Sequence, residues 1–157
     1  VGFALQDKMG LTGVQTAQLT GAAMMVSAVF TLLIQVTVMQ RFSVRPTLFI
    51  RLGLLSLLAG AAVISLFETF AVLALGMAFM GTGMAMCMPA ISAGASLAVT
   101  PAEQGGAAGL VASCPPLGFA VGPVCAGALY QVDGALAPLF SASVFFLVLI
   151  MVVVRDR

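Results

Sequence analysis

Histidine and tryptophan are absent from the 157 residues, tyrosine occurs once, and only 7% of the chain is charged. Each shortage excludes something. Without histidine the chain lacks the commonest metal ligand and the one side chain that ordinarily titrates near neutral pH. Six Lys and Arg against five Asp and Glu leave a net charge of +1, which offers no basic face to a phosphate backbone, so nucleic acid is not a partner. Of the three cysteines, Cys114 and Cys125 are eleven residues apart on one expected helix. That is about 16 Å at 1.5 Å per residue, too far for a disulfide. With Cys87 alone in another segment, all three read as small, reduced packing residues.

What the chain does have is apolar length: 62% of its residues are hydrophobic, and its mean hydropathy is +1.20. Charge-free runs cover residues 9–40, 69–102, 104–132 and 134–154, which are 32, 34, 29 and 21 residues long. Each reaches the roughly 20 residues that an α-helix needs to cross a hydrocarbon core. A fifth run, 52–67, has 16 residues and attains spanning length if it begins at Thr47 and Arg51 snorkels to the interface. The fold class is therefore an all-α membrane protein of five transmembrane helices, expected at 17–39, 47–66, 70–98, 105–130 and 136–154, within one bundle spanning 1–157. The chain opens VGFALQDKMG, with neither an initiator Met nor the basic region and cleavage site of a signal peptide, and reads as an internal cut from something longer.

Two helices carry patterned faces. In the first, Thr20, Ser27, Thr31 and Gln35 fall at offsets of 0, 7, 11 and 15 and share one narrow face with Met24. Hydroxyls in membrane helices commonly bond back to their own helix or to a neighbour, and Ser27 alone fits that use. The aligned set, with an amide that lipid would leave unpaired, reads better as one wall of a water-accessible cavity. In the third helix Met77, Met80, Met84 and Met88 also share a face. Adaptable packing is the ordinary use of such a stripe, and a soft wall around varied apolar ligands is the alternative, with Met80 and Met84 at its centre.

The fourth helix contains GLVASCPPLGFAVGPVCAG, three prolines and four glycines without a charge. Proline is tolerated inside a membrane where a neighbour satisfies the freed carbonyl, and glycine where backbones approach closely. The order is Gly109, eight residues, Gly118, three residues, Gly122-Pro123, two residues, Ala126-Gly127. It resembles the antiporter motif of the major facilitator superfamily, which ends in a Gly-Gly pair where this chain has Ala126-Gly127. LQDKMGLTGVQTAQLTG resembles the end of that family's seventh helix and the loop into its eighth. QRFSVRP is similar to a decayed form of its basic loop, and PAISAGASLAVTPAEQGGAAGL to the join of its tenth and eleventh helices. Gln40 to Pro46 keeps only scattered arginines, and no arginine stands near Gly76, where the family's fourth-helix motif would place one. Both departures favour the C-terminal half, from the end of helix seven through helix twelve.

The resemblance implies a drug- or metabolite-exporter-like secondary transporter of a small molecule, working by alternating access. It also implies that the first, third and fourth helices border the cavity while the second and fifth face lipid. The candidate cavity residues are Ser27, Thr31, Gln35, Met80 and Met84, and the candidate packing and gating motif is Gly109, Gly118, Gly122, Pro123 and Gly127. No cofactor, metal or catalytic residue is expected. The partners are a small-molecule substrate, the lipid bilayer, the N-terminal half of the same polypeptide and, if transport is proton-driven, protons titrated by a carboxylate in that other half. A membrane enzyme would need paired acids, a His cluster or a Ser-Lys dyad at depth, and the chain has none. A scaffold without cargo would show small-residue seams and no aligned polar face.

Arg41, Arg45, Arg51, Arg155 and Arg157 belong to one side of the membrane, whereas Lys8, Asp7, Glu68 and Asp133 belong to the other. The positive-inside rule places the C-terminus in the cytoplasm and the N-terminus outside, in a membrane expected to be a bacterial inner membrane. Cysteine replacements at Ser43 and Asp133, treated with an impermeant thiol reagent in intact cells, are expected to label at position 133 and not at 43. The reverse pattern would overturn the orientation.

Overall fold

The computed structural model describes residues 2–41, 45–134 and 136–155, with the backbone alone at Phe3, Ala4, Asp7, Lys8 and Met39. Phe42, Ser43 and Val44 of the basic loop, and Asp156 and Arg157 of the tail, lie outside the described residues. The elements are α1 (Gly2–Met9), α2 (Gly13–Ile34), a π-helical turn (Gln35–Met39), α3 (Pro46–Ser65), α4 (Phe70–Leu97), α5 (Gln104–Val132) and α6 (Leu136–Arg155). Five of these helices are long and apolar enough to cross a membrane, α2 counted together with part of its π turn.

The helix ends follow from local chemistry. Gly10, at φ +61°, takes the left-handed conformation that closes α1. Thr12 then opens α2 with a capping box: its N–H donates to Gln15 Oε1 at 3.1 Å, and the Gln15 N–H donates to Thr12 Oγ1 at 3.5 Å. That cap sets the start at Gly13, four residues ahead of the expected 17, because hydropathy counts only the apolar run and the cap is polar. Pro46 occupies the first turn of α3, where its missing N–H costs nothing. Before α5, the Glu103 carboxylate accepts from the Thr100 N–H at 3.1 Å and the Thr100 hydroxyl at 2.7 Å.

In lipid, apolar burial does not draw helices together, so seams depend on close backbone approach and on interhelical hydrogen bonds. The α3–α4 seam shows both. Gly53 and Gly60 on α3 are seven residues apart, as are Gly76 and Gly83 on α4, and the two pairs face each other in antiparallel register. A Cβ on Gly53 would sit 2.9 Å from the Gly83 carbonyl oxygen, and one on Gly60 would sit 3.0 Å from that of Gly76. Between these contacts Ser56 Oγ donates to the Phe79 carbonyl at 2.8 Å, and beside them, beyond Gly53 and Gly83, Cys87 Sγ reaches the Ile50 carbonyl at 3.7 Å. On another face of α4, Gly81 lies against the Ser27 backbone of α2. α6 adds Phe145, Leu149 and Val152 to the Leu54, Leu57 and Cys87 cluster, while Leu5, Ala23, Phe67 and Leu73 form a second cluster where α1 and the α3–α4 turn close the other end.

α4 is thus the axis of the bundle, packed on α2 and on α3, with α6 beyond α3. Neither α5 nor α6 has a buried residue, but α6 seats Phe145, Leu149 and Val152 on α3, whereas among the described residues α5 adds none to either cluster. Alternation of the crossings puts Arg41, Arg45 and Arg155 at one end and Glu68 and Asp133 at the other.

Gly81→Ala forces the α2 and α4 backbones apart and should destabilise the bundle by about 1–3 kcal/mol. Gly118→Ala, in open space, should change stability by less than about 0.5 kcal/mol. Reversible unfolding in mixed micelles reads both, and equal effects would place the tight contact elsewhere. The two bonds from Thr100, the hydroxyl's first, hold the Glu103 carboxyl below its ordinary range. A carboxyl depressed in the folded state adds stability in full above its unfolded pKa and loses it as pH falls through the folded value. Amide exchange at Thr100 should therefore accelerate relative to that at Leu97 as the solution is acidified through that range, and a constant ratio would refute the coupling.

Candidate functional site

The polar stripe of α2 divides on folding. Thr31 Oγ1 lies 2.9 Å from the Ser27 carbonyl of its own helix and 3.0 Å from the Gly81 carbonyl of α4. A hydroxyl has one hydrogen, so the two acceptors share it. Glycine makes the approach possible: a Cβ at position 81 would run into the Ser27 carbonyl oxygen and lie 2.9 Å from its carbon. Ser27 and Thr31 accordingly mark the α2–α4 crossing, Ser27 through its backbone and Thr31 through its hydroxyl. Thr20 sits further along the stripe beside Gly2 of α1, and its hydroxyl is buried with no hydrogen-bond partner among the described residues. Met24 is 60% exposed. Gln35, half-buried, is the first residue of the π turn, which itself touches α4.

The methionine stripe divides too. Met77 packs on the Leu5, Ala23, Phe67 and Leu73 cluster, and Met80 on the α3–α4 cluster of Leu54, Leu57 and Cys87. Met84 and Met88 stay exposed. Thr31 and Met80 therefore contribute to packing between helices, while Gln35 and Met84 keep accessible surface. A charged side chain is nearly absent from all of this: within the five helices the only ionised groups are Arg51, half-buried on α3, and Arg155 at the end of α6. No group of three His, Cys, Asp or Glu among the described residues could hold a metal ion.

On α5 the proline and glycine motif faces open space. Nothing lies within 4 Å of a Cβ built on Gly109, Gly118, Gly122 or Gly127, and Pro123 is exposed beside them. The helix continues through Pro115, Pro116 and Pro123, and large side chains such as Phe119 at 75% and Val124 at 71% are exposed, while Val111, Leu129 and Tyr130 are half-buried. The close-approach glycines that the chain does use are Gly53, Gly60, Gly76, Gly81 and Gly83, which composition alone does not single out. The signal for Gly53, Gly60, Gly76 and Gly83 is the matched spacing of seven in the RLGLLSLLAG and GMAFMGTG segments of α3 and α4. The π turn has a fainter one, the three consecutive β-branched residues Val36, Thr37 and Val38, which crowd the preceding turn of an α-helix.

Comparison with known proteins bears on what such a bundle does. The family model described as Major Facilitator Superfamily matches residues 2–157. No curated protein and no solved structure matches the chain. With the match running over nearly its whole length, and with five apolar helices of spanning length packed about α4, the chain is an integral membrane protein that belongs to the Major Facilitator Superfamily, a family of transmembrane transporters.

Proposed function

We propose that the chain is the C-terminal half of a secondary transporter, moving a small molecule by alternating access, with α5 as the helix that slides against the other half. The observation that carries this reading is the bareness of α5. It is a 29-residue helix without one buried residue; α6 shares that lack but is seated on α3 through Phe145, Leu149 and Val152, whereas among the described residues α5 joins neither core cluster and its motif glycines meet nothing within 4 Å. Small residues let a second backbone come close, and prolines open the hydrogen-bond ladder so that the helix can bend as the contact shifts. Transporters of this kind hold cargo near the bilayer midplane between two helical bundles and rock one against the other.

On this reading Gln35 and Met84 contribute wall to the cargo site, while Ser27, Thr31 and Met80 hold the wall in place. The near absence of ionisable groups in these helices supports a coupling carboxylate elsewhere in the polypeptide if protons drive the cycle. The arginine end is the cytoplasmic end by charge asymmetry, and the direction of flux is outward by the resemblance of the α5 motif to that of exporters.

The test is Gly122→Leu in the intact transporter. Leucine is at least as favourable to the membrane as glycine, so insertion and yield should be unchanged, while transport should fall to the level of empty membranes. Normal transport by a normally inserted Gly122→Leu protein would rule out α5 as the moving contact.

A further inference from the structure

Two irregularities stand at the same level of the bundle. α2 and α4 run parallel, since each enters from the same end, and Ser27 and Thr31 are level with Gly81. Continuing that register along both helices brings the π turn, Gln35–Met39, beside Pro89 in α4, and the turn does pack on α4. A π turn holds one residue more than the α turn it replaces, and such turns mark places where a helix can change register. Thr37 Oγ1 donates to the Leu33 carbonyl where the ladder widens, a side-chain bond that bends helices. Opposite it, Pro89 brings no N–H to α4, so the Ala85 carbonyl lacks its usual donor there.

Below this level α2 is pinned. The Gly81–Ser27 backbone contact allows no side chain between the helices, and the Thr31 hydroxyl ties α2 to the Gly81 carbonyl at 3.0 Å. The geometry points to a pivoting arm: α2 from Gln35 to Arg41 exchanges a π turn for an α turn about the Thr31–Gly81 pin, rotating Gln35 and the start of the arginine loop relative to α4 while the rest of α2 stays seated. The shift costs little because it trades one set of backbone hydrogen bonds for another, next to a helix whose own ladder is already interrupted. It is a local motion of one helix end, distinct from any rocking of whole bundles, and it holds whether or not α5 is the sliding contact.

Spin-label distances in the intact protein, reconstituted into phosphatidylcholine and phosphatidylglycerol vesicles on a background without other cysteines, test this directly. Labels at Gln40 and Ser92 straddle the arm and α4, and labels at Val29 and Ser92 place the first probe on the pinned part of α2; all three positions are exposed. The expected result is two distance populations for the pair 40 and 92 and one for the pair 29 and 92. Deleting Val38 removes the extra residue and should leave a single population at 40 and 92. Thr31→Val keeps the side-chain shape, loses the hydrogen bond, and should bring a second population to the pair 29 and 92, so the inference stays testable if the deletion fails to insert. One population at 40 and 92 as narrow as that at 29 and 92 in the unaltered protein overturns the arm. Two populations at both pairs overturn the pin.

Discussion

Everything in this bundle is set out from the register in which α3 and α4 touch. Two glycines on each helix, seven residues apart, let carbonyl oxygens approach to where side chains would otherwise stand. The Ser56 and Cys87 bonds repeat that register between and beside them. A single step of slippage would set Leu57 against backbone instead of against Gly83, the nearest atom of Leu57 being already 2.6 Å from a Cβ built there. Once α4 is fixed on α3, Gly81 is presented to α2, and α6 finds the Leu54 and Leu57 surface. In a solvent as apolar as the side chains, such shape constraints do what hydrophobic burial does in water.

Glycine therefore has two meanings in one chain. On α3 and α4 it is consumed in contacts that are present, and on α5 it is held in reserve, with a small-xxx-small spacing at Gly118 and Gly122 and nothing within 4 Å to meet. The difference is not in the residues but in what lies opposite. This is why a glycine motif alone is a weak pointer to a seam, and why the bare helix, not the motif, supports the functional reading.

The architecture was largely readable in advance, because charge-free length is what a membrane demands of a spanning helix, and 11 charged residues in 157 divide the chain plainly. Helix starts were less so: the Thr12 and Gln15 cap is polar and lies outside a hydropathy count. The faces were read least well. Thr20, Ser27, Thr31 and Gln35 do share one side of α2, but a wheel cannot say what stands opposite, and Gly81 turns the middle of that side into a helix crossing. The methionine stripe is divided in the same way, Met77 and Met80 packing on different neighbours while Met84 and Met88 stay exposed. No pattern of residue types encodes the π turn, because it depends on hydrogen-bond register and only the β-branched run hints at it.

The order of helices along the chain bears on how the bundle is assembled. α3 and α4 are joined by the short turn at 66–69 and lie antiparallel, so their seam closes as soon as both have left the insertion machinery. α2 precedes them in synthesis yet is seated mainly on α4, a parallel neighbour separated from it by the whole of α3. It must wait in the bilayer without its α4 partner until Gly81 arrives. The bond from Thr31 back to Ser27 is available throughout that interval, and the hydroxyl need only begin sharing its hydrogen when α4 docks. A threonine at the crossing thus lets the helix enter lipid without an unsatisfied donor and still recognise its partner later, which a residue dedicated to the interhelical bond alone could not do.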